Sequence, residues 1–198
     1  ALSFDALNTE WAVPNAANPP TLTKAIVFDG IGDYAWIPGA TLSPILSGAS
    51  PVFSISMFIK VGILGTTQQV FVNWGAIVSI IIEVPATRLL AITTADGVGQ
   101  GETIIASVAD ELLEGTLLTF TFDGSRTLGD RTRIFIGGED KALSTSTAPE
   151  GINDPGVQLY TVMGDATAKS TLGDLQGLFI TDTFMSLAEH QSVYNSRN

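Results

Sequence analysis

The chain has 198 residues, 45% of them hydrophobic and 15% charged, with 20 acidic against 9 basic side chains and a formal net charge of −11. That is ample apolar material for one core, while the acidic balance argues against nucleic acid, whose phosphates need clustered Lys and Arg, and against anionic membrane surfaces. Cysteine is absent, so disulfides, thiolate catalysis and cysteine-built zinc sites are excluded.

Residues 1–24 carry Leu2, Phe4, Leu7, Trp11 and Val13 among prolines and asparagines, without a helical or strand period. They read as an arm that has no core of its own and is held either by its own domain or by a neighbouring subunit. Residues 25–198 read as the domain. The longest apolar run, 76–84, is broken by Ser79 and Glu83 and is too short to span a bilayer. The opening Ala-Leu-Ser carries no recognisable leader and fits methionine removal or a processed start equally.

The domain opens with Ile26 and Phe28 alternating with small or polar neighbours, the pattern of a strand with one buried face. Asp29-Gly30 supplies a tight turn, because glycine accepts a positive φ without steric cost. Asp33 follows, and Tyr34, Trp36 and Pro38 resume the period of two. Further strands are expected over 53–61, 69–74, 78–84, 88–94, 103–108 and 117–122, then over 132–136, 143–147, 157–163 and 177–181. Asp123-Gly124 and Gly137-Gly138 mark turns, and the second suggests that 143–147 pairs with 132–136. Ser186-Leu187-Ala188-Glu189 is a capping box. Its helix is expected to run to about Asn195 and to lay Leu187, Val193 or Tyr194 on the sheet, leaving His190 exposed or capping.

Several of these segments together carry a family resemblance. They are Phe28-Asp29-Gly30 with Asp33-Tyr34 beyond it, the strand Phe53 to Val61, Leu118 to Gly124, Ile134 to Gly138, and Gly177 to Ile180 followed by Ser186 to Glu189 and Val193 to Asn195. In order and spacing this series resembles laminin-G-like domains of the concanavalin-A-like group, over residues 25 to 195. Phe58 stands where a tryptophan is usual there, and Gly115-Thr116 stand where a tryptophan-histidine pair is usual. The resemblance implies an all-β fold: a two-sheet antiparallel jelly-roll β-sandwich with one short C-terminal helix. It implies several functions, since the fold serves lectins, adhesion modules, enzyme appendages and phage structural proteins alike.

The chemistry-bearing residues narrow these. Many relatives hold calcium through the aspartate after the opening strand and another in the closing segment. Phe179 occupies that closing position, although Asp165, Asp174 and Asp182 are near in sequence. Asp29 and Asp33 are therefore read first as turn caps and only second as metal ligands, and no cofactor is expected. Sandwich hydrolases of the group present a Glu-x-Asp-x-Glu run, which is missing here; Asp110-Glu111 and Glu139-Asp140 are merely adjacent pairs. With no cysteine and a single histidine, no cysteine-histidine pair can be built; counting alone leaves a Ser-His-Asp site open, but no Gly-x-Ser-x-Gly elbow is present, and no enzyme activity is expected. Tyr34, Trp36 and Trp74 are the candidate sugar platforms, with core packing the default for Trp36. Arg126, Arg131 and Arg133 gather around one turn, where Asp130 offsets them.

The leading expectation is a non-catalytic binding and assembly protein of a bacteriophage virion surface, a capsid decoration or tail component. It would be homo-oligomeric and would contact other subunits or capsid protein through the arm. The alternative is a carbohydrate-binding lectin or adhesin module acting outside the cell, and a glycoside hydrolase relative comes third.

Overall fold

The computed structural model describes residues 2–3, 25–62, 69–73, 78–83, 89–95, 100–105, 111–147, 150–152, 160–164 and 171–196. In chain order the first elements are β1 (Leu2–Ser3), β2 (Ile26–Asp29), β3 (Ala35–Ile37), α1 (Gly39–Leu46) and β4 (Val52–Val61). Next come β5 (Gln69–Asn73), β6 (Val78–Glu83), β7 (Leu89–Ala95), β8 (Gln100–Ile105), α2 (Glu111–Glu114) and β9 (Thr116–Asp123). The chain closes with β10 (Thr132–Ile136), β11 (Glu139–Asp140), β12 (Leu143–Ser146), β13 (Tyr160–Val162), β14 (Leu172–Thr181) and α3 (Leu187–Asn195).

These strands form two sheets, an eight-stranded one in the order β1-β3-β13-β5-β6-β7-β8-β12 and a six-stranded one in the order β11-β10-β9-β4-β14-β2. Every pairing is antiparallel except that of β1 with β3. The fold is thus the expected two-sheet antiparallel β-sandwich of jelly-roll type, with the short C-terminal helix. Its core follows from the period of two. Phe53, Ile55, Met57, Ile59 and Val61 of β4 face inward with Leu118, Phe120 and Phe122 of β9 and Ile134 and Ile136 of β10. Ala35, Val72, Tyr160 and Val162 meet them from the larger sheet.

Local chemistry explains the turns. Gly30 sits at φ 77°, as the Asp29-Gly30 turn requires. Gly124 is needed for a different reason: a Cβ there would run into the carbonyl oxygen of Glu150 and the Cα of Ser50. The capping box of α3 forms in full. Ser186 Oγ accepts from the Glu189 amide at 3.3 Å, and the Glu189 carboxylate accepts from the Ser186 amide at 2.7 Å. The Ser186 amide, then its hydroxyl, hold the Glu189 carboxyl below its ordinary range. Ser186→Ala is expected to destabilise the protein by about 1 kcal/mol, read as a shift in the urea midpoint at unchanged slope.

Four expectations are corrected. Residues 143–146 pair not with β10 but with β8 in the other sheet, and β10 takes β11 instead. The last long strand begins at Leu172 rather than near 177. Two further helices appear, of which α1 contains Pro44 and buries Leu42 and Leu46. Finally, α3 buries His190 completely instead of leaving it at the surface. Of the arm, only Leu2–Ser3 is described, as a parallel strand on this chain's own sheet; Phe4, Leu7, Trp11 and Val13 lie outside the described residues.

Candidate functional site

A sandwich offers two outward faces. On the smaller sheet that face is closed by the chain itself. Ser54, Ser56 and Phe58 of β4, Thr119 and Thr121 of β9 and Phe135 of β10 alternate with the core residues, yet all are buried. The segment from Thr183 through α3 lies over them. Ser54 Oγ donates to the Thr183 carbonyl at 2.6 Å and accepts from the Met185 amide at 2.8 Å. Phe58 meets Phe179 edge-on at 6.5 Å between ring centroids, and the Phe135 ring lies 5.3 Å from that of His190.

His190 organises this cover. The Gly138 amide donates to His190 Nε2 at 3.1 Å, so Nδ1 carries the ring proton and donates to Thr119 Oγ1 at 2.9 Å. Thr119 is in turn within 2.8 Å of Ser56 Oγ. Burial pushes the imidazole pKa down to about 4. A serine, a threonine and a histidine in a hydrogen-bonded row resemble nucleophilic machinery, but here the ring nitrogen facing the hydroxyl is a donor and all three side chains are shut away from solvent. The row is a structural tie.

The basic residues around the β9–β10 turn are matched by acids. Arg126 pairs with Asp123 at 2.9 Å and lies 3.8 Å above the Phe184 ring. Arg133 pairs with Asp130 at 2.8 Å, and Arg131 faces Glu150 at 3.7 Å. Lys141 bridges Glu111 at 2.9 Å and Glu139 at 3.0 Å. Asp29 and Asp33 cap their own turn: Asp29 Oδ1 accepts from the Ile31 amide at 2.7 Å and Asp33 Oδ2 from the Asp29 amide at 3.3 Å. Among the described residues, no group of three or more metal-ligating side chains comes together.

The outward face of the larger sheet is described at Trp36 and at Thr161 opposite it, and Thr161 is buried. Ala35 is buried and Ile37 packs against the core, so Trp36 between them points outward and is half-buried. This reverses the expectation that Trp36 belongs to the core. Register then places a row of positions on Trp36's side of the sheet. Trp36 stands opposite Thr161, Thr161 opposite Asn73, Asn73 opposite Ser79, Ser79 opposite Thr93 and Thr93 opposite Glu102. The neighbouring positions Ala35, Val162 and Val72 belong to the core. Tyr34, just before β3, is half-buried. Trp74 lies outside the described residues, immediately after Asn73 of the polar row. The row itself is not visible as a motif, because its members are scattered over six strands that pair only in three dimensions.

No family model and no curated protein sequence matches this chain. Solved structures do. The CBM40 domain of the Ruminococcus gnavus IT-sialidase bound to α2,3-sialyllactose superposes with a TM-score of 0.65 at 13% identity, over 87% of this chain and 97% of that one. The binding domain of botulinum neurotoxin DC in complex with rat synaptotagmin II superposes with a TM-score of 0.55 at 13% identity, over 74% of this chain but only 36% of that one. A botulinum neurotoxin type C structure, described as entering cells through two ganglioside molecules, gives 0.54 at 13% identity over 77% and 37%. At these identities the likeness is one of fold, and the fold is a β-sandwich found in carbohydrate-binding modules and toxin receptor-binding domains.

Proposed function

We propose that this chain is a non-catalytic carbohydrate-binding module that holds a glycan on the outward face of its larger sheet, around Trp36. The observation that carries the reading is the asymmetry of the two faces. One is sealed by the protein's own C-terminal segment, while the other carries a half-buried outward tryptophan, Trp36. Sugars have C–H faces that stack on such aromatic rings. Neighbouring folds bound to sialyllactose or dependent on gangliosides support a glycan over other ligands. The order of strand and turn motifs supports a laminin-G-like version of the sandwich.

The virion-decoration reading has less behind it. It rests on acidity, the lack of cysteine and the arm, and the described part of the arm joins the chain's own sheet.

Glycan binding by calorimetry, compared between the native chain and Trp36→Ala, tests the proposal. The variant should bind roughly 30-fold more weakly, a loss of about 2 kcal/mol, while still unfolding in one cooperative transition. Equal binding by both proteins would move the site elsewhere.

A further inference from the structure

We infer that residues 183–196 are a cover latched over the smaller sheet by His190, and that mild acid releases it while the sandwich stays folded. The device belongs to the other sheet from the proposed carbohydrate face and does not depend on it. Two observations set the cover apart from the body. The core cluster draws on both sheets, on α1 and on α2, and has no member beyond Ile180. Among residues 182–196, His190 alone is buried. The cover therefore adds little apolar burial, and one imidazole is its anchor. Residues 182–186, which join β14 to α3, have no regular structure and form its joint.

The surface beneath is suited to parting. Ser54, Ser56, Thr119 and Thr121 line it, and hydroxyls exchange protein partners for water at small net cost. Ser54 Oγ holds the Thr183 carbonyl and the Met185 amide, and water can replace both. Thr121 Oγ1 is buried with no hydrogen-bond partner among the described residues, so it gains one on opening.

Acid acts at His190. In the closed cover Nε2 accepts from the Gly138 amide and Nδ1 donates to Thr119, so neither nitrogen has a lone pair free for a proton. Burial is the cause that holds its pKa at about 4. The charges on the elements packed around it are engaged elsewhere. On β11, Glu139 faces Lys141 at 3.0 Å and Asp140 faces Arg133 of β10 at 4.0 Å. β9 carries Asp123 at its far end, against Arg126, and β4 carries the exposed Lys60. On α3 itself Glu189 is tied to the Ser186 amide, and the Tyr194 ring stacks on the imidazole at 6.5 Å between centroids. Once the cover opens, the ring is in water and titrates near about 6.5. The open form then takes up a proton that the closed form refuses. Closure is complete above that value and weakens as the pH falls toward 4. Between about pH 7.5 and about pH 5 the opening equilibrium rises about 25-fold.

Native-state hydrogen exchange on the intact chain, corrected for the intrinsic pH dependence of amide exchange, tests this. At about pH 7.5 the amides of α3 should be at least about tenfold less protected than those of β4 and β9, and low urea should barely change the α3 opening, as befits a local event. At about pH 5 the protection of α3 should be about 25-fold lower. His190→Gln keeps an acceptor and a donor without titrating, and its α3 protection should differ less than about threefold between the two pH values. The chain's one histidine also permits a measurement without any variant: its imidazole resonances should titrate well below the ordinary value. Equal protection and equal urea dependence of α3 and the two strands would overturn the inference, because the cover would then open only with the whole molecule. So would a drop that survives in His190→Gln, or a native imidazole that titrates near about 6.5.

Discussion

Phe53→Ala is expected to remove about 4 kcal/mol of stability, the largest effect of any single substitution considered for this chain. Phe53 is completely buried at the start of β4. Its ring stacks on Phe122 at 5.3 Å and meets Phe120 at 6.1 Å, both from β9, so truncation removes the side chain and two aromatic contacts together. The pair cannot close over the gap, because β4 and β9 are held in register from Val52–Asp123 to Ile59–Thr116. For a domain of this size the loss corresponds to a melting temperature about 8–16 °C lower, a large share of an ordinary stability. Ile31→Ala is the control: Ile31 is 82% exposed and its removal should leave the melt unchanged. A Phe53→Ala protein melting within a few degrees of the native chain would mean that this end of the core repacks freely.

What was legible in the sequence was whatever local pattern determines. The alternation from Phe53 to Val61 and from Leu117 to Phe122 reads directly as strands, because one face of each is buried along its whole length. Ser186 and Glu189 announce α3 through a cap that needs no distant partner. Other features depend on residues far along the chain. β3 has three residues, too few for a period to tell which side is buried; the size of Trp36 points to the core, while small Ala35 is the residue that fits there. β12 follows a hairpin and so suggests local pairing, yet its register partner is β8. α1 contains a proline and no polar cap, and it is stabilised by Leu42 and Leu46 in the core and by Ser43 Oγ lying 2.9 Å from the Tyr160 hydroxyl. The candidate site shares this property: Trp36 was a visible candidate, but its row of register positions exists only once six strands have paired.

The burial of His190 is likewise invisible in a single helix, and it carries a pH dependence. In the folded chain the ring is neutral to about pH 4, because burial opposes its charged form. Protonation would also place a hydrogen on Nε2, against the Gly138 amide that already donates to it. In the unfolded chain the same ring titrates near its ordinary value of about 6.5. Above that value neither state holds the proton and the full stability is present. As the pH falls below it the unfolded state takes up a proton that the folded state refuses, so stability drops until the folded pKa is reached. The span from about 6.5 to about 4 amounts to roughly 3 kcal/mol. Urea titrations between pH 7.5 and pH 4 should therefore show the unfolding free energy falling at up to about 1.4 kcal/mol per pH unit across that window. His190→Gln should be less stable at neutral pH, since Thr119 and Gly138 lose a fitted partner, but its stability should be much flatter between pH 6.5 and 4.5. Carboxylates held low, such as Asp123 beside Ser125 and Arg126, act mainly below that interval and remain in the variant. A variant with the native slope would mean that His190 is not the group that titrates.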